Sequence, residues 1–244
     1  KYNGFTILYD LGPDCTFAEN AKELNLNVDK VDCIVISHGH FDHSGGLIYY
    51  KNKKIKKLIV QQQAFKKRIR LSADKFLNIG IPATCQQFVN FAKEYQSSFQ
   101  IFPGVWCIIC QHYGKQLIHS EKGLMKENEK GELVIDDFCD ELNLALETNK
   151  GLYIISGCSH QGVSNIIDCA IDATRIKDIH SFIGGLHLTF AKRNQITSTV
   201  DNLEKYRIKR FIVGHCSGEE AIMYLKTKFK NQEIITNYVG LKTK

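Results

Sequence analysis

The sequence has no apolar run long enough to cross a bilayer and no secretory leader pattern. Its nine cysteines lack short regular spacing, which argues against a disulfide framework and predicts reduced thiols in a cytoplasmic protein. No linker or low-complexity segment interrupts the 244 residues, so one domain over 1–244 is expected. Basic residues exceed acidic ones by only 32 − 26 = 6. No aromatic-rich basic motif accompanies that excess, and nucleic acid is not the expected partner. The excess gathers in Lys51–Lys57 and Lys66–Arg70, readable as a solvated face or as attraction for a small anionic, phosphorylated substrate. The chain opens at Lys1 with a strand almost at once, from which we expect residues or a segment to be missing before it.

What is present centres on Val31–Gly46. The β-branched run Ile34–Ile36 predicts a buried strand, and His38, His40, Asp42 and His43 follow within six residues. Imidazoles with a carboxylate suit zinc or a similar divalent ion. His38 and His40, two apart in an extended segment, point the same way and can share one ion. Asp42 and His43 are adjacent and cannot both face that point, which invites a second ion. The competing reading, a polar loop with surface histidines, is poor for such a cluster directly after a buried strand.

Around this loop the pattern is α/β. Phe5–Tyr9 predicts a strand ending at Asp10, which either caps a turn or orients a metal-bound histidine. Phe17–Leu24 has helical spacing, a helix is expected from Gly46 to about Asn52, and Leu58–Val60 predicts a strand. The basic, amide-rich region 61–100 reads as an insertion shaping substrate access, with a helix over Thr84–Tyr95. Val105–Cys110 predicts a strand whose Cys107 and Cys110 pack in the core. Glu121–Asp137 is polar and turn-rich, and Leu142–Glu147 with Leu152–Ser156 reads as a hairpin. The last third repeats strand, glycine, histidine three times, ending at His160, His187 and His215. Helical stretches lie at Gly162–Arg175, Gln195–Tyr206 and Glu219–Phe229. Ligands in such folds gather at strand ends, which makes these three histidines candidates beside the His38–His43 cluster. His112 also follows an apolar run, His119 has no such context, and His180 is expected before its strand at the opposite end.

The motif H-G-H-F-D-H resembles the H-x-H-x-D-H signature of the metallo-β-lactamase superfamily. Asp140-Glu-Leu142, Gly157-Cys-Ser-His160, Ile183-Gly-Gly-Leu-His187 and Gly214-His-Cys216 resemble one subfamily within it. These are the 7,8-dihydropterin-6-methyl-4-(β-D-ribofuranosyl)-aminobenzene-5′-phosphate synthase-like proteins. The resemblance runs from about Phe5 to Gly240 and implies a four-layer αββα sandwich, here with a shortened N-terminal strand. It implies His38, His40 and His160 for one ion and Asp42, His43 and His215 for the other. Two zinc ions are expected, and manganese, iron or nickel suit the same donors. Many members carry a bridging aspartate in a G-D pair where this chain has Gly157-Cys158, so Cys158 is either a thiolate ligand or a small packed residue.

Three chemistries follow. In a synthase-type condensation an aminobenzene ribotide would displace diphosphate from a dihydropterin, with His187 hydrogen-bonding the leaving group or acting as general acid. In hydrolysis of a phosphodiester, lactone or other ester, Asp42 would orient an activated water. A metal- or redox-sensing protein without turnover would use Cys158 and Cys216. Oligomeric state, including a homo-oligomer, stays open.

Overall fold

Short β-branched runs become strands where both faces can be buried, and this chain uses that rule in two compact units. The computed structural model describes residues 1–72, 75–110 and 123–243. His112 and His119 lie outside the described residues, as does the start of the Glu121–Asp137 stretch. Among the described residues no helix is long and apolar enough to cross a membrane.

In chain order, β1 (Ile7–Tyr9), α1 (Thr16–Glu23), β2 (Cys33–Val35), α2 (Phe41–Ser44) and β3 (Leu58–Ile59) come first. β4 (Arg68–Ser72), β5 (Lys75–Asn78), β6 (Phe99–Phe102), β7 (Val105–Ile109), β8 (Leu124–Glu127) and β9 (Leu133–Ile135) follow. The remainder is β10 (Leu142–Thr148), β11 (Gly151–Ile155), α3 (Val163–Thr174), β12 (Asp178–Gly184) and α4 (Arg193–Asp201). β13 (Arg207–Val213), α5 (Glu219–Lys228) and β14 (Glu233–Thr236) close it.

The first unit comprises Lys1–Tyr95 and Lys122–Leu142. Its central strand β2 lies parallel between β1 and β3, with Ile34 opposite both Leu8 and Leu58. Ile34, Ile36, Leu47, Val60 and Phe88 form its apolar core. A second sheet in this unit runs β5-β4-β8-β9, antiparallel throughout.

The second unit comprises Gln96–Glu121 and Asn143–Lys244, with sheet order β14-β13-β12-β11-β10-β7-β6. β11 to β14 are mutually parallel, so their C-terminal ends emerge along one edge. Val163, Ile166, Ile167 and Ala170 of α3 pack with Ile196, Val200, Ala221 and Leu225 of α4 and α5 against Leu152, Ile154, Phe182 and Phe211. Cys107 and Cys110 are buried, as expected of core residues.

Several local expectations are corrected. The segments after the metal motif and after Pro82 are 3₁₀ helices, at Gly45–Tyr50 and Ala83–Phe91. At the start of Gly45–Tyr50 the backbone runs so close to Leu11 and Pro13 that a Cβ on Gly45 or Gly46 would strike their carbonyls. The described part of Glu121–Asp137 contains β8 and β9, whose alternation is too short to read. His180 lies inside β12 and stacks on Tyr153 at 4.6 Å between ring centroids.

Candidate metal centre

β2 delivers the motif. Ser37 and His38 are fully buried just beyond it, and His40 and His43 are nearly so. Asp10, at the end of β1, takes a left-handed backbone (φ 57°) that a non-glycine residue adopts only at a cost. That turn aims its carboxylate at the motif. Asp10 Oδ1 accepts the Ser37 backbone N–H at 2.7 Å, and Oδ2 accepts the Ser37 hydroxyl at 2.7 Å. Oδ2 also receives His43 Nδ1–H at 2.7 Å. Ser37 has one hydroxyl proton and gives it to Asp10, so at 2.8 Å it accepts from His38 Nδ1–H. Both rings are thereby held in the tautomer that leaves the Nε2 lone pair for a metal.

The donors then fall into two pairs. His38 Nε2 and His40 Nδ1 are 3.1 Å apart, and His43 Nε2 lies 3.6 Å from Asp42 Oδ2. Bonds of about 2.0–2.2 Å in a tetrahedral site put neighbouring donors roughly 3.3–3.5 Å apart. Both separations lie within about 0.2 Å of that range, so each pair can hold one ion. The His38 and His43 rings are 4.2 Å apart, so the pairs sit side by side.

Gly39, between the first two ligands, is clamped. Its N–H donates to Asp140 Oδ2 at 2.7 Å, and a Cβ there would collide with the Ala64 carbonyl and the Arg68 guanidinium. Arg68 is fully buried, 2.7 Å from Asp140 and 2.8 Å from Asp136, and also donates to the carbonyls of Gln63 and Ala64. Burial alone would lower its pKa, but the Asp140 and Asp136 carboxylates hold it above the usual arginine range. Arg68 belongs to a run that reads as surface charge or substrate attraction, and neither reading anticipates this buried ion network. A clue was available in the acidic partners Asp136 and Asp140, some seventy residues on, but only the fold brings them together.

In the second unit the loops after β11, β12 and β13 are tied edge to edge. Gly185 N–H donates to the Gly157 carbonyl at 2.8 Å, and the Ser159 hydroxyl to the Gly185 carbonyl at 2.6 Å. Leu188 N–H donates to the Cys216 carbonyl at 2.9 Å, and Leu186 N–H to Ser217 Oγ at 3.1 Å. Ser159, His187 and His215 all have left-handed φ (61°, 52° and 53°), a concentration of strain typical of functional loops. His160 is buried with its ring 4.2 Å from that of His187, and His215 is exposed. Cys158 is buried, and Cys216 Sγ contacts its carbonyl at 3.6 Å. A hydrogen bond with Cys158 holds the Cys216 thiol well below the ordinary thiol range despite burial, with His187 and His215 acting the same way. Cys158, His187 and Cys216 offer donor atoms within 4.8 Å of one another.

Known proteins agree with this architecture. The metallo-beta-lactamase superfamily profile matches residues 1–77. The 7,8-dihydropterin-6-methyl-4-(beta-D-ribofuranosyl)-aminobenzene-5'-phosphate synthase of Methanocaldococcus jannaschii is 32% identical over 239 residues, covering 92% of this chain and 79% of that protein. An uncharacterized protein of the same organism is 28% identical, covering 92% of this chain and 84% of its own length. The crystal structure of Tm1679, a metal-dependent hydrolase of the beta-lactamase superfamily, superposes with a TM-score of 0.84 at 26% identity, covering all of this chain and 94% of that one. A histidine-aspartate motif behind a buried parallel strand, an α/β fold and similarity over nearly the whole length lead to one assignment: the chain belongs to the metallo-β-lactamase superfamily and has its fold.

Proposed function

We propose that this protein is a metal-dependent enzyme catalysing a synthase-type condensation on a small anionic pterin substrate. The assigned ligands are His38, His40 and His160 for one divalent ion and Asp42, His43 and His215 for another, with zinc favoured by donor type. The observation that carries the metal assignment is the Asp10–Ser37 network, which leaves His38 and His43 each with an Nε2 lone pair. The condensation itself rests on the similarity to the M. jannaschii synthase. We treat 1–244 as one catalytic domain, with 61–100 shaping access.

When bound, the ions supply Lewis-acid stabilisation of charge developing on diphosphate oxygens. The chain's own residues do the rest. A C–N bond forms between the arylamine and the pterin methylene as the C–O bond to diphosphate breaks, and the nitrogen then loses its extra proton to solvent. His187 hydrogen-bonds the leaving group or gives it a proton, and Asp42 fixes the geometry beside it. Diphosphate release from a dihydropterin methyl diphosphate and an aminobenzene ribotide by the metal-loaded protein tests this. No release refutes it.

A second reading, hydrolysis of a phosphodiester, lactone or other ester, is favoured by the superposition on a metal-dependent hydrolase. Here Asp42 orients the attacking water. Turnover of generic esters that is lost in His38→Ala supports this reading over condensation.

A further inference from the structure

The second unit carries a donor set of different chemistry from the histidine–carboxylate motif. Cys158, His187 and Cys216 bring two sulfurs and one imidazole nitrogen within 4.8 Å of one another, from three separate strand-end loops. A tetrahedral ion with bonds of about 2.3 Å to sulfur and 2.0–2.1 Å to nitrogen separates such donors by roughly 3.4–3.8 Å. The set therefore needs to close by at most about 1.0–1.4 Å, within reach of side-chain rotation alone.

The loops are built to keep these donors together. The backbone bonds from Gly185 to Gly157 and from Leu188 to Cys216 join all three. Gly185 is the seat of the Cys216 thiol, since a Cβ there would come within 2.5 Å of Cys216 Sγ. His187 reaches the cluster through a left-handed backbone, a conformation retained only where the surroundings enforce it.

We propose that Cys158, His187 and Cys216, all residues of the second unit, form a further ion site selective for a thiophilic metal. Two thiolates and an imidazole favour zinc, cadmium, cobalt or copper(I) over magnesium, calcium or manganese. Three protein ligands leave a fourth position open, which makes the ion exchangeable rather than structural. Occupancy takes the His187 nitrogen away from proton transfer, so filling the site acts as a brake on turnover. The ion site goes beyond the proposed function, and only its braking effect rests on the His187 role assigned there.

Cobalt(II) added to the reduced, metal-free full chain tests this, read by the intense sulfur-to-cobalt charge-transfer absorption in the near ultraviolet. The band is expected in the parent, retained in His38→Ala and His43→Ala, weakened in Cys158→Ser and Cys216→Ser, and displaced by cadmium but not by magnesium. A parent without the band overturns the proposal. So does a band unchanged in Cys216→Ser, or one abolished by His38→Ala and His43→Ala. The parent alone gives a check independent of variant folding, because cadmium must protect Cys216 from alkylation, and labelling at an unchanged rate counts against the site. Loss of diphosphate release or ester turnover in the histidine variants with the band intact separates the two metal assignments.

Discussion

The Asp10 carboxylate holds His43 by its Nδ1–H at 2.7 Å while also bonding Ser37, which in turn holds His38. One side chain at the end of β1 thus sets the tautomers of two candidate ligands. Asp10→Asn keeps the shape but supplies a neutral acceptor, so affinity for the motif's ions should fall about 10–100-fold. Competition with a chelator of known affinity measures it. Unchanged affinity would show that Asp10 is only a turn residue.

Arg68 sits fully buried between Asp136 and Asp140. Arg68→Met leaves two buried carboxylates without their partner and should cost about 3–5 kcal/mol in urea unfolding. Adding Asp136→Asn and Asp140→Asn should restore part of that loss. If the triple variant is no better than the single one, the penalty comes from lost packing and not from uncompensated charge.

Gly39→Ala drives a methyl group into the Ala64 carbonyl. The expected result is a loss of about 1–3 kcal/mol in stability. Metal content should fall as well, because the displaced segment carries His38 and His40. A variant with parental melting behaviour and metal content would contradict the clamp.

Acid should weaken the pair between Lys126 and Asp137. Burial pushes the Asp137 carboxyl up, but the Lys126 ammonium and the Cys139 N–H outweigh it and hold it below the usual range. A depressed folded value means the pair stabilises the protein above the unfolded carboxyl pKa of about 3.9 and ceases to as pH falls through the folded one. The stability gap between parent and Asp137→Asn should be flat near neutrality and close below that range. A gap that persists in strong acid would mean that Asp137 acts through packing.

Much of this could be read directly from residues. The buried strand, the motif behind it and the three strand–glycine–histidine repeats are local signals, and β2, β11 and β13 stand where those patterns put them, while β12 begins earlier and takes in His180. What stayed hidden depends on long-range contact. Nothing near Arg68 in sequence shows that Asp136 and Asp140 will enclose it. Nothing near Gly45 in sequence shows that the Pro13 backbone will approach it so closely. β8 and β9 are too short for their alternation to stand out from the polar residues around them. The Cys158, His187 and Cys216 set shows the same limit: each residue was visible at a strand end, but their convergence was not.

The most direct test of the central claim is metal content per chain, measured on protein purified without added metal, for the parent, His38→Ala and His215→Ala. The account predicts at least two ions in the parent and loss of metal in both variants. A parent without metal, or variants that match it, would contradict the metal-enzyme assignment.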